Sequence, residues 1–505
     1  MFIAPHEWLP ATRHTACATG PILAEALPFE HAKLYQKLCN DAPPALVRAD
    51  AADFLRGQLG LVVNVACGLP DAAEDLGVWM AAAAQSVQCQ YRQYLEQRRQ
   101  GASRRFFSNR AHALYFLRSV APTKLVDGTW LYGLLVHWRN PRFTDLVRIY
   151  VEELGEGAPD KNHVLLYRSM LARHGLEQLH DLPDDRYRQG LVQLALGWNA
   201  EIFLPEIIGF NLAYEQLPLH LLISAYELNE LGLDPYYFTL HVTVDNLDTG
   251  HARRACQAVW DALPRLDDGG AFWRRVREGA KLAEVGVGTT QVIQGFDIEA
   301  EVLRILAGKS GTGHGAHSDY CRVAGRSVNE WLSSPDNIPG FVQALQSVGW
   351  IKPGEPPQNS RFWKLLQGAR AEMFGVFSSY ELQVIHDWLR GEASADGQPY
   401  AERGAPATSS RRLTFRAAVP LLTAPGGCTP SVSEPDPLDA DLSLLRQKAV
   451  ELDDAGRKDL LVQVMSPAQH WTPAGLYATR LFCRAAQGHA YTGARRLHAV
   501  RTPEG

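Results

Sequence analysis

Apolar positions recur at helical spacing along most of the chain, and clusters of Gly and Pro interrupt them. Residues 1–75 mix short helical patterns with such breaks, as in PFEHAKLYQKLCNDAPP. From Asp71 to Gln100 the sequence is rich in Ala, Gln, Leu and Arg and poor in breakers, which predicts a long helix ending at Gly101. The stretch AHALYFLRSVAPTKLVDGTWLYGLL reads as two helical segments separated near Pro122. Asp127 falls near the start of the second, a place that suits a cap as well as a ligand. Leu146, Ile149, Tyr150 and Leu154 then form a helical stripe, GEG ends it, and Pro159 suits the first turn of a new helix. Glu153, Asp160 and His163 are thereby split across a helix break. EIFLPEIIGFNLAYEQLPLHLLISAYELNELGLDP reads as a further apolar helix, in which Glu206 and Glu215 need partners if they are buried, while Glu227 and Glu230 fit a solvated side. Up to about residue 260 nothing alternates convincingly at the period of a strand. The pattern predicts an all-α bundle.

The stretch Tyr236 to Ala255, YYFTLHVTVDNLDTGHARRA, carries the densest chemistry. Read as one helix, it places His241, Asp245, Asp248 and His251 at steps of four, three and three, along one side. An isolated set of this kind is as readily a helix with one polar, solvated face. Here Tyr237, Phe238, Leu240, Val242, Val244 and Leu247 surround it, so these acids and imidazoles face burial, which requires partners or a metal. Mixed imidazole and carboxylate donors suit iron, manganese or zinc, whereas carboxylates alone would favour magnesium or calcium.

Beyond residue 260 the glycines around GKS at Gly308 invite a phosphate-loop reading. Leu303 stands where the first glycine should be, and a helix precedes the motif instead of a strand, which excludes that reading. His314 and His317 lie in a glycine-rich loop and read as solvated. Trp331, Trp350, Trp363 and Trp388 recur among helical patterns as core anchors. The segment 391–440 is rich in Gly, Ala, Ser and Pro and reads as linker; 441–505 is helical again. The expected organisation is therefore a helical N-terminal region (1–110), a metal-binding core (111–265), a helical extension packed on it (266–390), the linker, and a C-terminal helical segment.

Composition narrows the function by exclusion. A net charge of −5 leaves no electrostatic footprint for nucleic acid. No window approaches eighteen uninterrupted apolar residues, and the N-terminus lacks a basic segment followed by an apolar run, so neither a membrane span nor a signal peptide is expected. Eight cysteines are scattered without CxxC pairs, which argues against a zinc framework or a disulfide scaffold and makes a reducing cytoplasm the default.

An acid in an early helix, an acid and a histidine in a second, a glutamate in a later one, and then HxxxD with a further ligand make a recognisable constellation. It resembles the haem-oxygenase-like diiron oxidases, also labelled iron-containing redox enzymes. The likeness is best over Glu153 to Ala255, in phrases such as PEIIGFNLAYE and YYFTLHVTVDN. It implies a haem-oxygenase-like helical bundle without haem, with additional helical regions at both ends, two Fe(II) ions between helices, and O2 as co-substrate. Carried across by position, Glu215, His241 and Asp245 match the family's ligands best, followed by His163. Asp160 stands where the family tends to have Glu, Glu153 matches an additional carboxylate of some N-oxygenating members, and Asp127 is the acid near the place of the early-helix ligand. Asp248 stands where well-studied members have His, and His251 is the alternative imidazole. The implied activity is oxidation of an amino-acid or amine derived small molecule, with Glu153 tilting toward N-oxygenation, in a biosynthetic pathway. Pairing through helices, as in family members, would make a homodimer. The competing expectation is a redox-inactive helical binding protein on the same scaffold, which would bring fewer than three acid or imidazole groups together.

Overall fold

A computed structural model describes residues 30–499 except 41, 217, 245–249, 267–268, 316, 319, 368–370 and 392–438; Asp245, Asp248 and the expected linker therefore lie outside the described residues. The described chain is helical almost throughout, as the apolar spacing predicts. Its one departure among these residues is a two-stranded hairpin, Arg322–Val323 against Arg326–Ser327, closed by Ala324 and Gly325 at positive φ. The long helix expected before Gly101 is present as Leu76–Arg99, and Gly101 follows it at φ 91°. GKS lies inside the helix Ile298–Gly313, with no loop to cradle a phosphate.

Two apolar cores organise the helices. The first gathers the 3-10 helix Thr129–His137 and the helices Thr144–Glu153, Arg188–Trp198, Leu204–Tyr214, His251–Ala262 and Gly270–Lys281, with the C-terminal helices packed on it. The second gathers Arg110–Ser119, His163–Arg173, Leu219–Glu230 and Tyr236–Val244 with helices from residue 298 onward. Trp363 is buried in this second core, and Trp331, Trp350 and Trp388 pack against it, as anchors should. Within the first core, Leu204–Tyr214 and Gly270–Lys281 cross with their backbones in contact. A Cβ at Gly209 would run into the carbonyl oxygen of Val276, and one at Gly279 into the backbone of Glu206. Beside this crossing the buried Glu206 carboxylate finds its partner in Arg275, which holds both of its oxygens at 2.6 and 2.7 Å.

Four expectations of local structure need correction. Tyr236 to Ala255 is not one helix: Gly250 is in extended conformation and precedes a new helix that starts at His251. The apolar helix expected from residue 201 is two, because the helix Leu204–Tyr214 ends at Glu215 and Pro218 precedes the next. Pro159 lies before the following helix, not in its first turn. That helix starts at His163, with the Asn162 side chain accepting from the Leu165 N–H at 2.9 Å as N-cap. Glu227, expected in solvent, is fully buried and accepts from Tyr94 Oη and from the backbone N–H groups of Arg105, Phe106 and Phe107. It replaces the missing helical acceptors of that loop, which is why an ionisable side chain is tolerated there.

Candidate metal centre

Each helix end just described delivers a donor to one place, at the seam between the two cores. Asp127 comes from the turn before Thr129, Glu153 is the last residue of its helix, and Glu215 follows the end of another. His163 and His251 are first residues of helices, and His241 lies within Tyr236–Val244. All six are buried. Asp127, Glu153, His163 and His241 can bring one donor atom each within 4.8 Å of one another, and so can Glu153, Glu215 and His251.

Glu153 belongs to both sets and divides its oxygens between them. Oε2 lies 2.5 Å from His163 Nδ1, and Oε1 lies 3.2 Å from His251 Nδ1. On the first side the His163 and His241 rings stand 4.3 Å apart, and His241 Nε2 is 3.2 Å from Asp127 Oδ2. On the second side His251 Nδ1 is 3.0 Å from Glu215 Oε2. The Asp127–Gly128 turn lies flush against Glu153: a Cβ on Gly128, whose φ is 78°, would come within 2.9 Å of the Glu153 Cβ. Only glycine both adopts that conformation readily and leaves the carboxylate its room.

Outer contacts aim these donors. His241 Nδ1 is 2.8 Å from the Tyr237 carbonyl, which fixes the proton there and leaves Nε2 to face the cluster. Tyr237 Oη donates to Asp127 Oδ2 at 2.6 Å, with the Lys124 ammonium 3.8 Å from the same oxygen. His251 Nε2 turns away from the cluster, 3.0 Å from Glu152 Oε2. Asn162 Nδ2 reaches the Leu154 carbonyl at 3.2 Å and the His470 carbonyl and ring at 3.3 Å, so it fastens the residue after Glu153 to the residue before His163.

Burial and neighbouring charges oppose each other throughout the cluster. Burial opposes ionisation of Asp127, yet Lys124 and His241 bring its carboxyl below the usual range. Burial is likewise outweighed at Glu153, held well below by His163 and His251. At Glu215 burial prevails and raises it. Burial also works against a charged His251, but Glu215, Glu152 and Glu153 raise it strongly; His163 is raised by Glu153 in the same way, while burial and the neighbouring His163 lower His241. Two ligand atoms in this dry, acidic setting have no hydrogen-bond partner of regular geometry among the described residues: His163 Nδ1, although 2.5 Å from Glu153 Oε2, and Glu215 Oε1. Such atoms, one in each donor set, are what bound divalent cations would satisfy. Imidazole and carboxylate together fit iron.

Of the expected ligands, Asp127, Glu153, His163, Glu215, His241 and His251 converge. Asp160 does not: it is exposed on the turn before Asn162, and its carbonyl accepts from Tyr236 Oη at 3.0 Å. The spacing to His163 that suggested it holds on a helix, and the helix has not yet begun there. Residues that sequence reasoning passed over include Glu152, Lys124, Asn162, His470 and the phenol of Tyr237. Only Asn162 had a signal, as a cap residue before an apolar run.

Residues 114–284 match the family model for iron-containing redox enzymes, and all six converging residues fall within the match. The resemblance read from the sequence and the all-α, haem-oxygenase-like fold class are thereby borne out. No curated protein and no solved structure matches the chain. No helix among the described residues is long and apolar enough to cross a membrane.

Proposed function

We propose that this iron-containing redox enzyme is a non-haem diiron oxidase or oxygenase that uses O2 to oxidise an amino-acid or amine derived small molecule, with N-oxygenation the favoured outcome. The observation that carries the reading is the Glu153 carboxylate, whose two oxygens face two separate donor sets. Asp127, His163 and His241 would hold one ion, Glu215 and His251 the other, and Glu153 would bridge them. Iron bound there would supply the electrons that reduce O2. The protein's own part is to hold three carboxylates and three imidazoles in an apolar seam, where ligand charge is unscreened by water and the imidazole tautomers are set in advance. Fewer than three converging groups would have favoured the redox-inactive reading; groups of four and three that share Glu153 lend it no such support.

An anaerobic Fe(II) titration of the metal-free protein, followed by exposure to O2 with absorption recorded, tests the reading. Two irons per chain and O2-dependent turnover of a screened amine or amino acid support it. One iron or none, or two irons inert to O2, would overturn it.

A further inference from the structure

His251 sits between three carboxylates, and they divide into two kinds. Its Nδ1 faces Glu215 Oε2 at 3.0 Å and Glu153 Oε1 at 3.2 Å, inside the seam. Its Nε2 faces Glu152 Oε2 at 3.0 Å, on the outside. Glu152 and Glu153 are consecutive, so the end of one helix grips the imidazole from both sides. Glu152 is 19% exposed and is held by two guanidiniums: Arg254 pairs with Oε2, and Arg148 Nε bonds Oε1 at 2.6 Å. With one guanidinium on each of its oxygens, the Glu152 carboxylate faces His251 Nε2 as an acceptor. A neutral imidazole has one N–H and one lone pair. An ionised acceptor at Nε2 puts the proton there and leaves the Nδ1 lone pair to the interior.

We infer that Glu152 is a positioning residue that sets the affinity of the ion held by Glu215 and His251 without affecting the ion held by Asp127, His163 and His241. The inference rests on the two-ion reading above. The contrast with His241 gives it its specificity. There the outer acceptor is the backbone carbonyl of Tyr237, which no substitution removes, whereas the acceptor at His251 Nε2 among the described residues is a side chain near the surface. Outer partners of metal-bound histidines typically contribute 10 to 100-fold in affinity.

The test is a titration of full-length wild-type, Glu152→Gln and Glu152→Asp proteins with Co(II) under anaerobic conditions, read by the visible absorption of the bound ion. Thermal unfolding of the metal-free forms is measured alongside. In Glu152→Gln the first equivalent should bind within about twofold of wild type and the second about 10 to 100-fold more weakly, with Glu152→Asp between. Arg254→Met, which leaves the carboxylate in place, should weaken the second equivalent less, and it carries the test if Glu152→Gln does not fold. Equal weakening of both equivalents, or two equivalents as tight as in wild type, would overturn the inference while leaving two-ion binding intact. Fewer than two equivalents in wild type would instead refute the two-ion reading itself.

Discussion

The two halves of the candidate metal centre draw on the cores differently, with His163 and His241 from helices of the second and Glu215, His251 and Asp127 from elements of the first, and they are fastened differently. His163 and His241 are held by groups that are themselves buried, the Tyr237 carbonyl and the cap at Asn162, while Asp127 is held by the buried Tyr237 phenol and the part-buried Lys124. Glu215 and His251 stand at helix ends in the first core, and the outer support of His251 is a partly exposed acid–arginine cluster. The comparison teaches that burial of the ligands and burial of their supports are separate properties. A centre can be equally dry on both sides and still be rigid on one and adjustable on the other.

The sharpest way to break the comparison is to remove what the halves share. Glu153→Gln should abolish tight binding of both ions, by more than about 100-fold each, since a ligand matters more than an outer partner; metal stoichiometry after gel filtration checks it. Acid should act through the second core, which carries His163 and His241. His112 there is brought down to about 4 by burial, against which the Ile293 carbonyl is only a partial counterweight. Above the ordinary histidine value both folded and unfolded chains leave it neutral. As pH falls from about 6.5 to 4 only the unfolded chain takes the proton, so stability should fall by about 1.4 kcal/mol per pH unit and level off below. Chemical unfolding of metal-free wild type and His112→Asn across that range measures it, the variant giving the flatter curve. Tyr237→Phe removes a bond to a charged oxygen and should weaken the Asp127 half alone by about 10-fold, some 1.4 kcal/mol, visible as a change in one of two Co(II) binding steps. Gly128→Ala should cost about 1–2 kcal/mol of thermal stability through its left-handed backbone, with a slight weakening of both ions as Glu153 is pushed aside.

How much of this could be read in advance differs with the physics involved. Helix content followed from apolar spacing, the donors at 215, 241 and 251 from acids and imidazoles standing in apolar company, and those at 153 and 163 from the family resemblance. The way they converge did not, because it depends on where helices stop. His251 reaches the centre from the start of a new helix after Gly250, not from the continued face of Tyr236–Val244. Asp160 was carried across from the family by its place three before His163, but the helix that would bring the two together starts only at His163. Glu227 looked solvated because the loop that needs its oxygens, residues 105–107, is more than a hundred positions away in the chain. Glu152 carried no signal at all: in the sequence it is simply the neighbour of Glu153.

The cap at Asn162 has one more consequence, which concerns time instead of space. Its side-chain amide is held from behind by His470, in the C-terminal segment whose Leu476 and Arg480 backbones lie against Gly157, and Met465 accepts from Tyr150 one turn before Glu153. On the ribosome every donor of the centre emerges long before His470 does. The nascent chain therefore exposes a set of acids and imidazoles whose backing has yet to be translated, and the finished geometry is available to an ion only after the last helices have docked.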